Sequence, residues 1–405
     1  MKKILIIEDD RLVANVYRNK FAVDHYEAEI AADGESGIQM VGQMRPDLVL
    51  LDLMLPKMSG VDVLKKIRAH ADMKQLPVIV FSNTYLTHIV QEAWKAGATK
   101  CLSKANCTPK QVLEVVHSLL PPTLGPGAPP ATPKRVGAPV GAPAHVINDE
   151  NDAVFQADLH RSFVDSLPST LVSLRSTLHA LSKSPDEADR VKQIQELYRR
   201  IHALTGNAGI AGALQIAQVA DALEALLKEL YEKPKNINAS TLRTVASAVD
   251  FLGTLFSPEN LPDPAEGQGT LQGSVLVVDD EAISQRAIVY ALEKAKLQAV
   301  KMDDPAAALD VMGGRHFDLI FLDVDMPVMN GFELCTRLRN LHLHKKTPVV
   351  FVTSLTDFES RANSTISGGN DLIAKPFVFM ELAVKALVYV MRGKLINRAA
   401  VAKAK

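Results

Sequence analysis

At both ends of the chain short apolar runs alternate with helical patterns, whereas the middle carries helical patterns alone. In the N-terminal part the runs are Ile4 to Ile7, Leu48 to Leu51 and Val78 to Phe81. Such runs suit strands buried on both faces, and strands alternating with helices predict a parallel sheet covered on both sides. The middle predicts four helices near residues 152–181, 186–208, 213–232 and 238–256, whose short connections suit an antiparallel bundle. Ser184-Pro185-Asp186-Glu187 predicts the start of the second helix, with Ser184 as cap, proline at the first helical position and Glu187 completing a capping box.

Two breaks interrupt these patterns. Residues 121–143 hold eight prolines and four glycines in 23 residues and cannot build a core. Residues 257–273 hold Pro258, Pro262, Pro264, Gly267, Gly269 and Gly273 and read as a shorter linker. The expected organisation is an α/β domain over 1–120, a linker over 121–147, a bundle over 148–257, a linker over 258–273, a second α/β domain over 274–395 and a basic tail over 396–405.

The two outer segments repeat at one constant offset of 271 residues. Glu8 matches Asp279, Asp9 matches Asp280, Asp52 matches Asp323, Pro56 matches Pro327, Gly60 matches Gly331, Ser82 matches Thr353 and Lys104 matches Lys375. No gap is needed across these positions.

Composition narrows the function classes. A formal net charge of -1 gives no general attraction to nucleic acid or anionic membrane. Cys101, Cys107 and Cys335 are too few and too scattered for a disulfide framework or a CxxC metal site, which suits a reducing, cytoplasmic compartment. The opening apolar run is four residues long and ends in Glu8-Asp9-Asp10, a strand rather than a signal peptide. No stretch reaches the eighteen or so apolar residues a spanning helix needs, so a soluble protein is expected.

In an open parallel sheet functional groups collect at the carboxyl ends of the strands, which would bring Glu8, Asp9, Asp52, Ser82 and Lys104 together. One strand-end aspartate is usually a cap or turn residue. Three converging carboxylates differ, because two unit charges at about 4 Å repel by about 4 kcal/mol at an effective dielectric near 20. Hard oxygen ligands suit Mg²⁺, and Lys104 adds a mobile positive charge. With the charge neutralised, an aspartate can attack a phosphoryl group and hold it as an acyl phosphate.

Ile4-Leu5-Ile6-Ile7-Glu8-Asp9-Asp10, Leu50-Leu51-Asp52-Leu53-Met54-Leu55-Pro56 and Ser82 with Lys104 resemble the response-regulator receiver family. Residues 275–281, Leu322-Asp323-Val324-Asp325-Met326-Pro327, Thr353 and Lys375-Pro376 resemble it more closely still. The resemblance implies two flavodoxin-like, doubly wound (βα)5 domains flanking the antiparallel four-helix bundle. It also implies that Asp52 and Asp323 accept phosphate, that Glu8 with Asp9 and Asp279 with Asp280 bind Mg²⁺, and that the carbonyls of Met54 and Asp325 complete the metal sites. Ser82 and Thr353 would bond the phosphoryl oxygens, and Lys104 and Lys375 would pair with them. Cys101 and Leu372 stand where the family often has an aromatic switch residue, and Ala105 replaces the proline that the second copy keeps at Pro376. Asp323-Val324-Asp325 also suits the paired-aspartate loop of haloacid dehalogenase-like phosphatases, but Asp279-Asp280 and the first copy's lack of a second aspartate argue against that reading.

In the second bundle helix Val191, Ile194, Leu197, Ile201, Leu204 and Ala208 form one apolar stripe. His202 lies roughly 100° from its centre, at the solvent edge, with Gln195, Arg199 and Gly206 on its face. A lone helical histidine is most often a boundary residue. Here Gly206 costs about 1 kcal/mol of helix propensity and leaves room for another protein beside the imidazole. A neutral imidazole is a competent nucleophile toward an acyl phosphate. His202-Ala203-Leu204-Thr205-Gly206, followed by Gly209 and Gly212, resembles the histidine phosphotransfer family, with Thr205 where many members have lysine. The three glycines follow a helix rather than a strand, unlike a nucleotide loop, and predict a helix break near 209–212.

With no ATP-binding kinase motif, DNA-reading domain or output enzyme evident, the resemblances imply a phosphorelay intermediate that exchanges phosphate between receiver aspartates and His202. Its partners would be a sensor histidine kinase and other receiver or phosphotransfer proteins. The competing reading is a phosphorylation-controlled scaffold or phosphate sink, in which His202→Gln would spare partner binding.

Overall fold

Each apolar run becomes a strand because the chain covers both of its faces with helices. The computed structural model describes residues 1–82, 87–104, 107–121, 149–257, 259–261, 273–354 and 367–404. Ala105 and most of both linkers lie outside them.

The N-terminal receiver-like segment runs β1 (Lys3–Ile7), α1 (Arg11–Val23), β2 (Glu27–Ala31), α2 (Gly34–Met44), β3 (Leu48–Leu51), α3 (Gly60–Ala69), β4 (Val78–Ser82), α4 (Thr87–Lys95), β5 (Lys100–Ser103) and α5 (Pro109–Leu119). Its strands pair in parallel in the order β2-β1-β3-β4-β5. Ile4, Leu50, Ile79 and Phe81 pack on one face with Val13, Tyr17 and Val116, while Leu5, Ile7, Val49 and Val80 pack on the other with Val41, Leu64 and Ile67. That two-sided burial is why the runs are continuous rather than alternating.

The C-terminal segment repeats the plan with β6 (Ser274–Val278), α10 (Ala282–Lys294), β7 (Gln298–Met302), α11 (Pro305–Gly314), β8 (Leu319–Asp323), α12 (Gly331–Leu338), β9 (Val349–Thr353), β10 (Asp371–Ala374) and a last helix, α13 (Phe379–Ala404). Its order, β10-β9-β8-β6-β7, is the same sheet read from the other edge. Helix α13 runs on through the stretch expected to be a separate basic tail.

Register brings the chemistry to one edge. Ile7 pairs with Leu51, so Glu8 and Asp52 leave neighbouring strands together, and Val278 pairs with Leu322 ahead of Asp279 and Asp323. The backbone N–H of Lys104 donates to the Ser82 carbonyl at 3.0 Å, and that of Lys375 to the Thr353 carbonyl at 2.7 Å. Gly60 and Gly331 recur for a steric reason: a Cβ on either would lie 2.1 Å from the carbonyl oxygen of Asp52 or Asp323.

Between these segments lie α6 (Asp149–Lys183), α7 (Glu187–Ile210), α8 (Leu214–Glu232) and α9 (Ala239–Leu255). Helix α7 ends where the glycines predict, with Gly212 at φ +75. Its start differs from the expectation. The Asp186 carboxylate accepts from the Asp189 N–H at 2.8 Å and caps the helix, whereas the Ser184 hydroxyl donates back to the Ala180 carbonyl at 3.0 Å. Ser184 thus closes the end of α6, and the shorter, charged acceptor two residues on takes the cap.

The chain divides into two compact units, Met1–Ser166 with Ala203–Ala217, and Leu167–His202 with Gln218–Lys405. In the first, Ile210 joins the core of the N-terminal sheet and Leu159 packs against it. In the second, the buried Glu381 of α13 accepts from the hydroxyls of Ser240 and Thr244 on α9 at 2.6 and 3.0 Å. The Arg392 guanidinium lies 5.3 Å above the Phe251 ring. Among the described residues no helix is long and apolar enough to cross a membrane.

Candidate phosphoacceptor sites

At the carboxyl edge of the first sheet, one carboxylate oxygen from each of Glu8, Asp9 and Asp52 lies within 4.8 Å of the others. Asp279, Asp280 and Asp323 repeat the cluster in the second. In both, the first and third acids are buried and the middle one is exposed. This is the convergence expected of residues leaving adjacent parallel strands.

The lysines meet these acids differently. Lys104, 3 % exposed at its side chain, lies 2.8 Å from Glu8 Oε2 and 2.7 Å from Asp52 Oδ2. Burial opposes its charge, but the Asp52 and Glu8 carboxylates outweigh burial and hold its pKa well above the ordinary value. Lys375 is 20 % exposed and stands 3.2 Å from both Asp279 Oδ2 and Asp323 Oδ2, with Glu281 at 3.7 Å. Its pKa is also raised, burial again being outweighed by Asp279 and Asp323. Burial and then the Asp279 charge push the Asp323 carboxyl up, against the pull of Lys375.

Ser82 and Thr353 end β4 and β9, both buried. The Met54 N–H donates to Asp52 Oδ1 at 3.1 Å, and Asp325 accepts from the Ser354 hydroxyl at 2.7 Å. Cys101 is half-buried, and Leu372 joins the core of the second sheet. Ser284 and Gln285 were not foreseen: the Ser284 hydroxyl donates to Asp279 Oδ2 at 2.5 Å, and the Gln285 amide donates to the Asp279 carbonyl at 2.6 Å. Val13 and Ala14 occupy the matching positions of the first copy, so a strict search for repeated residues misses them.

Asp323 Oδ1 is buried with no hydrogen-bond partner. A buried carboxylate oxygen left bare beside two further acids is an unfavourable arrangement that a hard cation would relieve. The donor set, all oxygen and doubly or triply anionic, fits Mg²⁺.

On α7, His202 is half-buried, and its Nδ1 lies 2.8 Å from Glu224 Oε1 on α8. The Tyr198 ring stacks on the imidazole with centroids 6.1 Å apart. Ile194, Leu197, Ile201, Leu204 and Ala208 are buried as the stripe predicts. Gln195 reaches Tyr231 at 3.5 Å, and Arg199 is exposed. Gly206 is buried, and a Cβ there would lie 3.6 Å from Val13 Cγ2 of α1. The space the glycine leaves is therefore filled by the N-terminal segment of this same chain. Glu224 was missed, although Asp221, Glu224 and Lys228 form a buried charged line on α8. That line was the available signal.

Comparison with known proteins follows this geometry. The response regulator receiver domain model matches residues 4–117 and 275–387, and the Hpt domain model matches residues 158–252. The chain belongs to the response regulator receiver family. Two receiver domains flank an Hpt domain in it. Protein RcaC of Microchaete diplosiphon is 31% identical over 140 residues, which cover 34% of this chain and 22% of that protein. Transcriptional regulatory protein CutR of Streptomyces coelicolor is 32% identical over 111 residues, covering 27% of this chain and 50% of that one. The chain thus spans between a fifth and a half of the length of these relatives. The solved structure of chemotaxis protein CheY4 of Vibrio cholerae is 31% identical over 30% of this chain and 99% of its own, with a TM-score of 0.28.

Proposed function

We propose that the protein is a phosphorelay intermediate in which Asp52 and Asp323 accept phosphoryl groups and His202 exchanges them with receiver aspartates. The observation that carries this reading is the bare, buried Oδ1 of Asp323 set among Asp279, Asp280 and Lys375. Mg²⁺ would be held by Glu8, Asp9, Asp52 and the Met54 carbonyl in one receiver, and by Asp279, Asp280, Asp323 and the Asp325 carbonyl in the other. When bound, the ion supplies positive charge that lets an anionic carboxylate approach an anionic phosphoryl donor.

The chain's own residues supply the rest. An aspartate oxygen attacks phosphorus, the bond from phosphorus to the leaving group breaks, and its electron pair stays with that group. Lys104 or Lys375 then pairs with a phosphoryl oxygen, and the Ser82 or Thr353 hydroxyl donates to another. Glu224 accepts the Nδ1 proton of His202, so that Nε2 keeps the free lone pair needed to take phosphate. A separate kinase supplies the phosphoryl group, and the setting is the cytoplasm. The domain limits that go with this reading are 1–120, 148–257 and 274–395.

Incubation with acetyl phosphate, with and without Mg²⁺, followed by mass spectrometry, tests the acceptors. Mg²⁺-dependent, base-labile phosphate on Asp52 and Asp323 is the expected result. Its absence from both rejects the reading.

A further inference from the structure

The repeat at 271 residues carries an acidic cluster and a lysine into both receivers, but not what lies beneath the lysine. In the first receiver Phe81, the residue before Ser82, is 1% exposed, and Lys104 Nζ lies over its ring, 5.9 Å from the centroid. Tyr17 of α1 meets Phe81 with centroids 5.1 Å apart and the rings nearly perpendicular, and Phe21 lies 6.0 Å from Tyr17. The Tyr17 hydroxyl is buried with no hydrogen-bond partner among the described residues, so the ring is held by this packing and not by its oxygen. At the same offset the second receiver has Ile288, Leu292 and Val352 in place of Tyr17, Phe21 and Phe81. Val352 is buried as Phe81 is, but it offers Lys375 no ring.

A cation over an aromatic face is attracted by the ring's quadrupole, most strongly where water is excluded. The two lysines sit accordingly. Lys104, 3% exposed, holds ion pairs of 2.8 and 2.7 Å with Glu8 and Asp52, whereas Lys375, 20% exposed, stands 3.2 Å from both Asp279 and Asp323. The ammonium of Lys104 is thus a built-in counter-ion within the cluster that a divalent ion would enter. Moving it away forfeits the ring as well as two close ion pairs. Lys375 gives up less, and water reaches it.

We propose that Tyr17 and Phe81 form an aromatic latch that holds Lys104 on Glu8 and Asp52, so that the first receiver takes up Mg²⁺ more weakly than the second and is phosphorylated after it. Both are positioning residues that act through Lys104: Phe81 lies under the ammonium, and Tyr17 backs Phe81. The inference rests on the two acidic clusters being Mg²⁺ sites and on Asp52 and Asp323 being phosphoacceptors.

Calorimetric titration of Mg²⁺ into the full chain carrying Asp279→Asn and Asp280→Asn follows the first cluster. Adding Phe81→Leu keeps most of the bulk, removes the ring and leaves Glu8 in place, so the difference in length between Glu8 and Asp279 does not enter. The expected result is Mg²⁺ binding tighter by roughly fivefold or more. Unchanged or weaker binding overturns the proposal. Should the leucine variant fail to fold, Lys104→Met in the same background serves instead. It should tighten binding by roughly threefold more than Lys375→Met does in a chain whose first cluster carries Glu8→Gln and Asp9→Asn, and an equal or smaller gain overturns the latch. In wild type at limiting Mg²⁺, acetyl phosphate should label Asp323 before Asp52, and labelling of Asp52 first also overturns it. Failure of Asp52 to take label at saturating Mg²⁺, with the affinity shifts as expected, would instead refute Asp52 as an acceptor and leave the latch standing, which separates the two readings.

Discussion

Nδ1 of His202 lies 2.8 Å from Oε1 of Glu224, and the Glu224 side chain is only 2% exposed. Under the proposed function, a carboxylate held that close would fix which imidazole nitrogen carries the proton and leave Nε2 as the nucleophile. Glu224→Gln should slow phosphorylation of His202 by phosphoramidate roughly 10²-fold, with Glu224→Asp recovering part of the rate. Nitrogen NMR of the imidazole should show the tautomer shifting in the Gln variant. An unchanged tautomer and rate would make Glu224 merely structural.

The two lysines should differ in what their loss does. Lys104 is almost fully enclosed between Glu8 and Asp52, so Lys104→Met leaves two buried acids facing each other. Breaking a buried pair costs about 3–5 kcal/mol. Lys375→Met should cost less, because its side chain is 20% exposed and water screens its partners. Urea unfolding without divalent ions measures both, and adding Mg²⁺ should restore much of the loss at each site. Equal losses for the two variants would contradict the difference in enclosure.

Val328 sits at φ 69 and is fully exposed, immediately after Pro327. A β-branched residue in the left-handed region is strained, at roughly 1–2 kcal/mol. Its counterpart Lys57 has φ 65, so the turn geometry is common to both receivers and the poor fit lies in the valine. Val328→Asn should stabilise the second receiver by about 1 kcal/mol, read from its urea midpoint at unchanged slope. A destabilised protein would mean the turn is not strained.

Gly331 is required by the close approach of its backbone to Asp323. A methyl group at 2.1 Å from the Asp323 carbonyl oxygen forces the loop that carries the aspartate to move. Gly331→Ala should cost about 1–3 kcal/mol and sharply reduce acetyl phosphate labelling of Asp323 while leaving Asp52 unaffected. Normal labelling of Asp323 would show that the loop tolerates the shift.

Much of this site is legible in the sequence because parallel strands make position readable. Once Leu48 to Leu51 and Val78 to Phe81 are recognised as doubly buried strands, the residues that end them must share one edge, and the repeat at 271 residues removes chance. Glu224 is harder, since its partnership with His202 depends on how α8 faces α7, which periodicity alone does not specify. Asp186 and Ser184 were misassigned because both can cap. The choice turned on where α6 ends, and only the Ser184 hydrogen bond to Ala180 reveals that. The covering of Gly206 by Val13 joins residues 193 positions apart with no local signature at all.

The central claim is that phosphate moves between aspartate and His202. Labelled acetyl phosphate, which phosphorylates carboxylates, should be given to wild type and to the Asp52→Asn, Asp323→Asn and His202→Gln variants, and acid-labile phosphohistidine followed over time. The account predicts histidine label that appears after the aspartyl label, is lost with His202→Gln and is lost with at least one aspartate variant. Abundant aspartyl label that never yields phosphohistidine would contradict the relay and leave the bundle as a scaffold.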